Sequence, residues 1–175
     1  MSQIKLFTLS LLALVVAGIA PLVEAQDKRD TLGSFRKWDA MKMRDSGADM
    51  CYMISTPTRW SASRKGVRRG DIYFTVTSRP RFKIKNQINT VVGYTLKAGS
   101  EVTISIDGRK NFKLFTEGGG AWAYDPRDDQ RLVTAMKAGN SMVVTATSSR
   151  GTRTTDVYSL SGFTAANNAI NRRCK

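Results

Sequence analysis

Histidine is absent from the 175 residues, which removes Ser-His and Cys-His nucleophile pairs, histidine-based zinc sites and imidazole acid-base catalysis. Catalysis would have to rest on a carboxylate pair or a Ser-Lys dyad. The best-placed acids, Asp125 and Asp128, are better explained by a helix start than by chemistry. Cysteine occurs twice, at Cys51 and Cys174, too few for a four-thiolate site and without the CxxC spacing that activates a thiol. No enzyme activity, metal or cofactor is therefore expected. Acidic residues are also scarce: 14 Asp and Glu stand against 28 Lys and Arg, a net charge of +14, so anionic partners are favoured. The only long apolar run, Leu6 to Ile19, is shorter than the roughly 20 residues of a spanning helix.

That run has Lys5 before it and Pro21 and Val23-Glu24-Ala25 after it, the three-part pattern of a signal peptide. A retained membrane anchor is the competing reading. The expected organisation is a signal peptide over 1–25, a flexible leader over 26–33 and a single domain over 34–175, with no transmembrane helix in the mature chain. A domain of that length buries about 70% of its unfolded surface. The expected location is the periplasm, the cell surface or the medium. Export makes a Cys51–Cys174 disulfide the default, because disulfides persist outside the cytosol. Two buried free thiols or a redox pair are the alternatives.

The mature chain reads as short strands and tight turns. Val143 to Ser148 and Val157 to Ser161 alternate with the two-residue period of strands around a turn at Ser149-Arg150-Gly151. After them Phe163, Ala166, Ile170 and Cys174 share one helix face, with Asn167 and Asn171 turned to its sides or to solvent. Phe35 to Met43 and Asp49 to Ser55 suggest a first hairpin, Asp71 to Ser78 and Asn89 to Tyr94 two further strands, and Asp107-Gly108 a tight hairpin turn. Ala121 to Tyr124 is a short strand. Asp125-Pro126, Asp128, Asp129, Lys137 and Gly139 supply the start and stop signals of a helix. Glu117 to Gly120 is a turn, since neither Lys-Ser nor Lys-Thr follows it as a phosphate loop requires. The predicted fold is all-β, a sandwich or distorted barrel of short antiparallel strands with two short helices, the C-terminal one tethered by the disulfide.

Positive charge concentrates in one stretch: Arg64, Lys65, Arg68, Arg69, Arg79, Arg81, Lys83 and Lys85 form a candidate anion-binding surface. A strand over Arg81 to Lys85 would set its three cations on one face and Phe82 and Ile84 on the other. The competing reading is a solvated face that guards an edge strand. The run Ser148 to Thr155, with Arg150 and Arg153 among hydroxyls, can present donors to an anion or serve only as an exposed turn.

Several segments together carry a family resemblance: Trp38 on an early strand, Cys51-Tyr52-Met53, Arg69-Gly70-Asp71-Ile72-Tyr73, Ser78-Arg79-Pro80, Lys113-Leu114-Phe115-Thr116, Ala121-Trp122-Ala123, Thr147 to Gly151 and Asp156 to Ala166. The chain resembles the invasion-associated locus B family over nearly all of its mature length. The resemblance implies an exported protein of a Gram-negative envelope, named for an association with host-cell invasion, and it brings no catalytic residues. In longer members the first hairpin is expected to carry a cysteine on each strand; here Met41 and Met43 stand on the first strand, which leaves Cys51 for Cys174. The functional expectation is a non-enzymatic periplasmic or envelope binding protein that engages another protein or an anionic envelope component and aids host-cell interaction. An enzyme acting on envelope glycans and a basic module for anionic lipid or glycan are the alternatives. Nucleic acid is the less favoured partner, because the protein is expected to be exported.

Overall fold

The computed structural model describes residues 29–175; the expected signal peptide lies outside the described residues. Within them, eleven strands form one antiparallel sheet. They are β1 (Asp30–Phe35), β2 (Trp38–Asp45), β3 (Ala48–Ser55), β4 (Arg59–Ala62), β5 (Tyr73–Arg79), β6 (Ile84–Val91), β7 (Glu101–Ile106), β8 (Lys110–Glu117), β9 (Gly120–Trp122), β10 (Ser141–Thr147) and β11 (Arg153–Ser159). Helix α1 (Pro126–Ala138) precedes β10 and helix α2 (Phe163–Arg173) follows β11. The strand order is β1-β2-β3-β5-β6-β9-β8-β7-β10-β11-β4. β4 follows β3 in the chain but lies at the far edge beside β11, so the sheet curls over itself as an open sandwich rather than a closed barrel.

The core lies between the two halves of that curl. Alternation does most of the sorting: in β5, Phe74, Val76 and Ser78 are buried while Tyr73, Thr75 and Thr77 face outward. Trp38 is fully buried and donates from Nε1 to the Ser159 carbonyl at 3.0 Å, joining β2 to the end of β11. Its ring meets Phe163 edge-on at 5.0 Å and Phe74 at 6.3 Å, geometries that add to simple area burial.

Both helices form where the sequence predicts them, by different means. Asp125 caps α1 by accepting the N–H groups of Arg127 and Asp128 at 2.7 and 2.9 Å, Pro126 occupies the first turn and Gly139 ends the helix. No side chain caps α2, which begins after Gly162 at φ 94°, where any Cβ would collide with the Phe35 carbonyl. Its far end is fixed covalently by the Cys51–Cys174 disulfide, with Cα atoms 5.8 Å apart.

Several local expectations change. Residues 30–33, assigned to a flexible leader, belong to β1, and the first hairpin is β1–β2 with Arg36 at φ 58° in its turn. A polar strand with little alternation is held by its ladder to β2 rather than by its own pattern. β4, four residues long, has no sequence signal of that kind. Arg81 to Lys85 is not a strand: Pro80–Phe82 is a 3-10 turn, Lys83 is left-handed at φ 56°, and β6 starts only at Ile84. Proline has no N–H to give to a ladder, so Pro80 breaks the strand there; Phe82 is left 52% exposed. Asn167, expected at the side of α2, is fully buried. Its amide donates to Asn86 Oδ1 at 2.9 Å, and Asn171 donates to the same atom at 3.0 Å.

Candidate anion-binding groove

The segment from β4 to β5 carries the first half of the basic run and is held at both ends. At its start Ser63 N–H donates to the Arg153 carbonyl at 2.9 Å and Arg153 N–H donates to Ser63 Oγ at 3.1 Å. At its end Gly70 N–H donates to the Gly93 carbonyl at 2.9 Å. Gly93 sits at φ 75°, and a Cβ there would come within 2.6 Å of the Gly70 carbonyl oxygen, so this close approach of two backbones needs glycine.

Arg69 supplies the main anchor, and its position corrects its assignment to the anion-binding surface. Its side chain is 2% exposed and that of its partner Asp156, on β11, is 1% exposed. The guanidinium donates to both Asp156 carboxylate oxygens, at 2.5 and 2.7 Å, and from Nε and the second amino group to the Val92 carbonyl at 2.9 and 2.8 Å. The rings of Trp60 and Tyr94 lie 5.1 and 5.3 Å from it. A planar fork meeting a carboxylate bidentately, with aromatic faces nearby, is the arrangement that offsets the desolvation of a buried arginine. Four of its five N–H donors are taken within the fold and the side chain is buried, so Arg69 does not present its charge to the groove.

With Arg69 turned inward, Arg64, Lys65 and Arg68 remain exposed. They share a groove of about 560 Å³ with Arg150 and with Tyr94, Thr95, Ser148, Ser149, Thr152 and Thr154. The turn opposite is equally ordered: Thr152 N–H donates to Ser148 Oγ at 3.0 Å, Gly151 N–H to the Ser148 carbonyl at 2.8 Å and Ser149 N–H to the Thr95 carbonyl at 2.9 Å. Tyr94 and Thr154 hydroxyls bond at 2.5 Å, and burial pushes the Tyr94 phenol above its ordinary value, so it stays a neutral donor. The two stretches that the sequence marks separately, the basic loop and the Ser148 to Thr155 run, thus form opposite walls of one groove.

The second half of the run does not join them. Arg79 pairs with Asp45 at 3.3 Å and contacts Met50 Sδ at 3.1 Å. Arg81 lies in the 3-10 turn, and Lys83 and Lys85 border a separate hollow of about 430 Å³ with Asn171, Cys174 and Lys175. The two clusters sit at opposite ends of β5, whose seven residues span about 20 Å. The loop and the Arg81 to Lys85 stretch are therefore not side by side.

Several carboxylates are engaged elsewhere. Asp125 caps α1, Asp128 pairs with Arg131 at 3.0 Å, and Glu101 pairs with Lys113 at 2.7 Å. Asp107 accepts the N–H groups of Asn140 and Ser141, which holds its pKa below the ordinary carboxylate range. Asp129, expected as a first-turn acid of α1, is buried and accepts the Ile88 N–H at 2.7 Å; burial raises its pKa from 3.8 to about 6. Among the described residues no helix is long and apolar enough to cross a membrane.

No curated protein matches the chain. Its fold is similar to the crystal structure of invasion associated protein B from Bartonella henselae, with a TM-score of 0.56 and 15% identity, covering 82% of this chain and 95% of that one. The family model described as Invasion associated locus B (IalB) protein matches residues 38–171. That span runs from Trp38 on β2 to Asn171 on α2 and includes both walls of the groove, and the chain therefore belongs to the invasion associated locus B family.

Proposed function

We propose that this member is an exported, non-catalytic envelope domain that works by binding, and that the groove between the Arg64 to Arg68 loop and the Ser148 to Thr154 turn receives anionic groups of its partner. The observation that carries this reading is the convergence of four exposed cations with a row of hydroxyls on an ordered frame. Cations supply long-range attraction, and hydroxyls supply directed hydrogen bonds to phosphate, sulfate or carboxylate oxygens. The paired or capping roles of Asp156, Glu101, Asp128 and Asp125 support a binding rather than a hydrolytic role. The disulfide suits an extracytoplasmic location. The name of the Bartonella protein extends this to a contact with host cells, in which a protein or an anionic envelope component is the immediate partner.

The test is retention of the purified domain on vesicles of anionic phospholipid and on a sulfated glycan resin over a salt series. Retention should fall steeply as the screening length shortens to about 8 Å near physiological ionic strength. Replacing Arg64, Arg68 and Arg150 with Ser should remove most of it, whereas replacing Arg81, Lys83 and Lys85 should leave most of it in place. Equal retention of the two triple variants would mean that net charge, not the groove, does the binding.

A further inference from the structure

The sheet is continuous in order but has a gap near its middle. β9 has three residues and joins its neighbours only through Asn89 to Val91 of β6 and Phe115 to Glu117 of β8. Residues 84–88 of β6 and 110–114 of β8 therefore have no strand between them. α1 covers this gap unevenly. It packs on the β6 side, where Asp129 takes the Ile88 N–H. On the β8 side no described residue supplies a hydrogen-bond partner to the outward main-chain groups of 110–114. A groove of about 510 Å³ runs there between β8 and α1, with buried Leu114 and Leu132 and half-buried Phe112 on its inner side and exposed Lys113, Tyr124 and Arg131 on its outer side. A second hollow of about 480 Å³ continues it past Lys110 and Thr134.

We propose that this groove receives an extended segment of a partner protein as an added strand on β8, with alternate side chains apolar on the inward face and polar on the outward one. This site shares no residue with the basic groove and does not depend on it. An unpaired strand edge is complementary to another extended backbone and to little else, and its alternating directions require alternation in the guest. Inward side chains would lie over Phe112 and Leu132. Outward ones would pass Asn111 and the Lys113–Glu101 and Arg131–Asp128 ion pairs, while Lys110 shares the inward face of Phe112 at the end of the strand. The five-residue free edge is about 17 Å long, the reach of a five- or six-residue segment.

The full domain, labelled with nitrogen-15, would be titrated with the blocked peptide Val-Glu-Val-Thr-Val-Glu-Val-Asp and with a copy methylated at alternate backbone nitrogens. The first peptide should shift the amides of residues 110–114 and slow their hydrogen exchange; the methylated copy, equal in charge, should bind about tenfold more weakly or worse. Thr134→Trp, an exposed change that fills the groove from the α1 side, should weaken the first peptide by a similar factor, while Arg68→Ser should not. Equal binding of both peptides, shifts confined to the basic groove, or no shift at millimolar peptide would overturn the proposal. Concentration-dependent dimerisation that protects the same amides without peptide would overturn it in favour of a second copy of this chain.

Discussion

Residues 64–69 and 79–85 are two stretches of one basic run with similar composition, and the fold uses them differently. The first gives up one arginine to the interior. Arg69 fixes the loop through Asp156, and its neighbours are thereby held facing the Ser148 to Thr154 turn. The second has no such anchor for its exposed cations; Pro80 ends the strand, Arg79 is taken by Asp45, and the remaining charges spread over a turn beside the disulfide. The difference teaches that a charge run takes up a fixed arrangement when one of its members is buried as an anchor.

The largest expected effect strikes the frame of the second cluster. Cys51 and Cys174 are 123 residues apart, and in the chain-entropy account closing such a loop contributes about 4–5 kcal/mol. A Cys51→Ala, Cys174→Ala double variant should melt far lower, and where it still folds, proteolysis should begin near α2 rather than in the Arg64 to Arg68 loop. Unchanged melting would show that the bond adds nothing to the packing.

Asp156→Asn comes next. It leaves the buried Arg69 charge without its counter-ion and should cost about 3–5 kcal/mol. Arg69→Met with Asp156→Leu removes both charges and should recover much of that stability, yet still lose anion retention because the loop has lost its anchor. If the double variant retains anions as wild type does, the anchor does not set the groove.

A third measurement concerns α1, which belongs to neither cluster. With its pKa raised from 3.8 to about 6 by burial, folded Asp129 holds a proton that the unfolded chain has released between about pH 4 and 6. Stability contributed by this group is therefore fully present below that window and falls as pH rises through it. Asp129→Asn keeps an acceptor for the Ile88 N–H and should flatten melting temperature against pH in that range; an unchanged slope would mean another group causes it. The smallest effect is on stability in the Arg64, Arg68 and Arg150 to Ser variant. Its melting temperature should stay close to wild type, since exposed charges alter stability by about 0.5 kcal/mol.

What could be read in the sequence was what local chemistry decides. Asp125, Pro126 and Gly139 bound α1 within the chain itself, and Asp107 and Gly108, at φ 50° and 68°, supply the positive φ pair that turns the β7–β8 hairpin. The disulfide followed from two cysteines and an inward helix face. The misreadings involve polar residues whose partners are distant in sequence: Arg69 meets Asp156 87 positions on, and Asn167 meets Asn86 81 positions back. A one-dimensional pattern assigns such residues to solvent, because burial of a polar group depends on its partner. The break at Pro80 did have a local signal, and the alternation of Arg81 to Lys85 outweighed it. The groove was half legible: both of its walls carried a signal, and only the curl of the sheet brings them together.

The bond between Cys51 and Cys174 also has a topological meaning, since everything between those residues is a covalent ring. The exposed Arg64 to Arg68 loop, the natural target of a protease that cuts after basic residues, lies inside that ring. A single cut there opens the ring without releasing a fragment, and the two ends stay beside each other through the Ser63 to Arg153 and Gly70 to Gly93 hydrogen bonds. A nicked domain would run as one species without reductant and as two pieces with it, so the loop is free to be exposed and basic while the two halves stay joined through its cleavage.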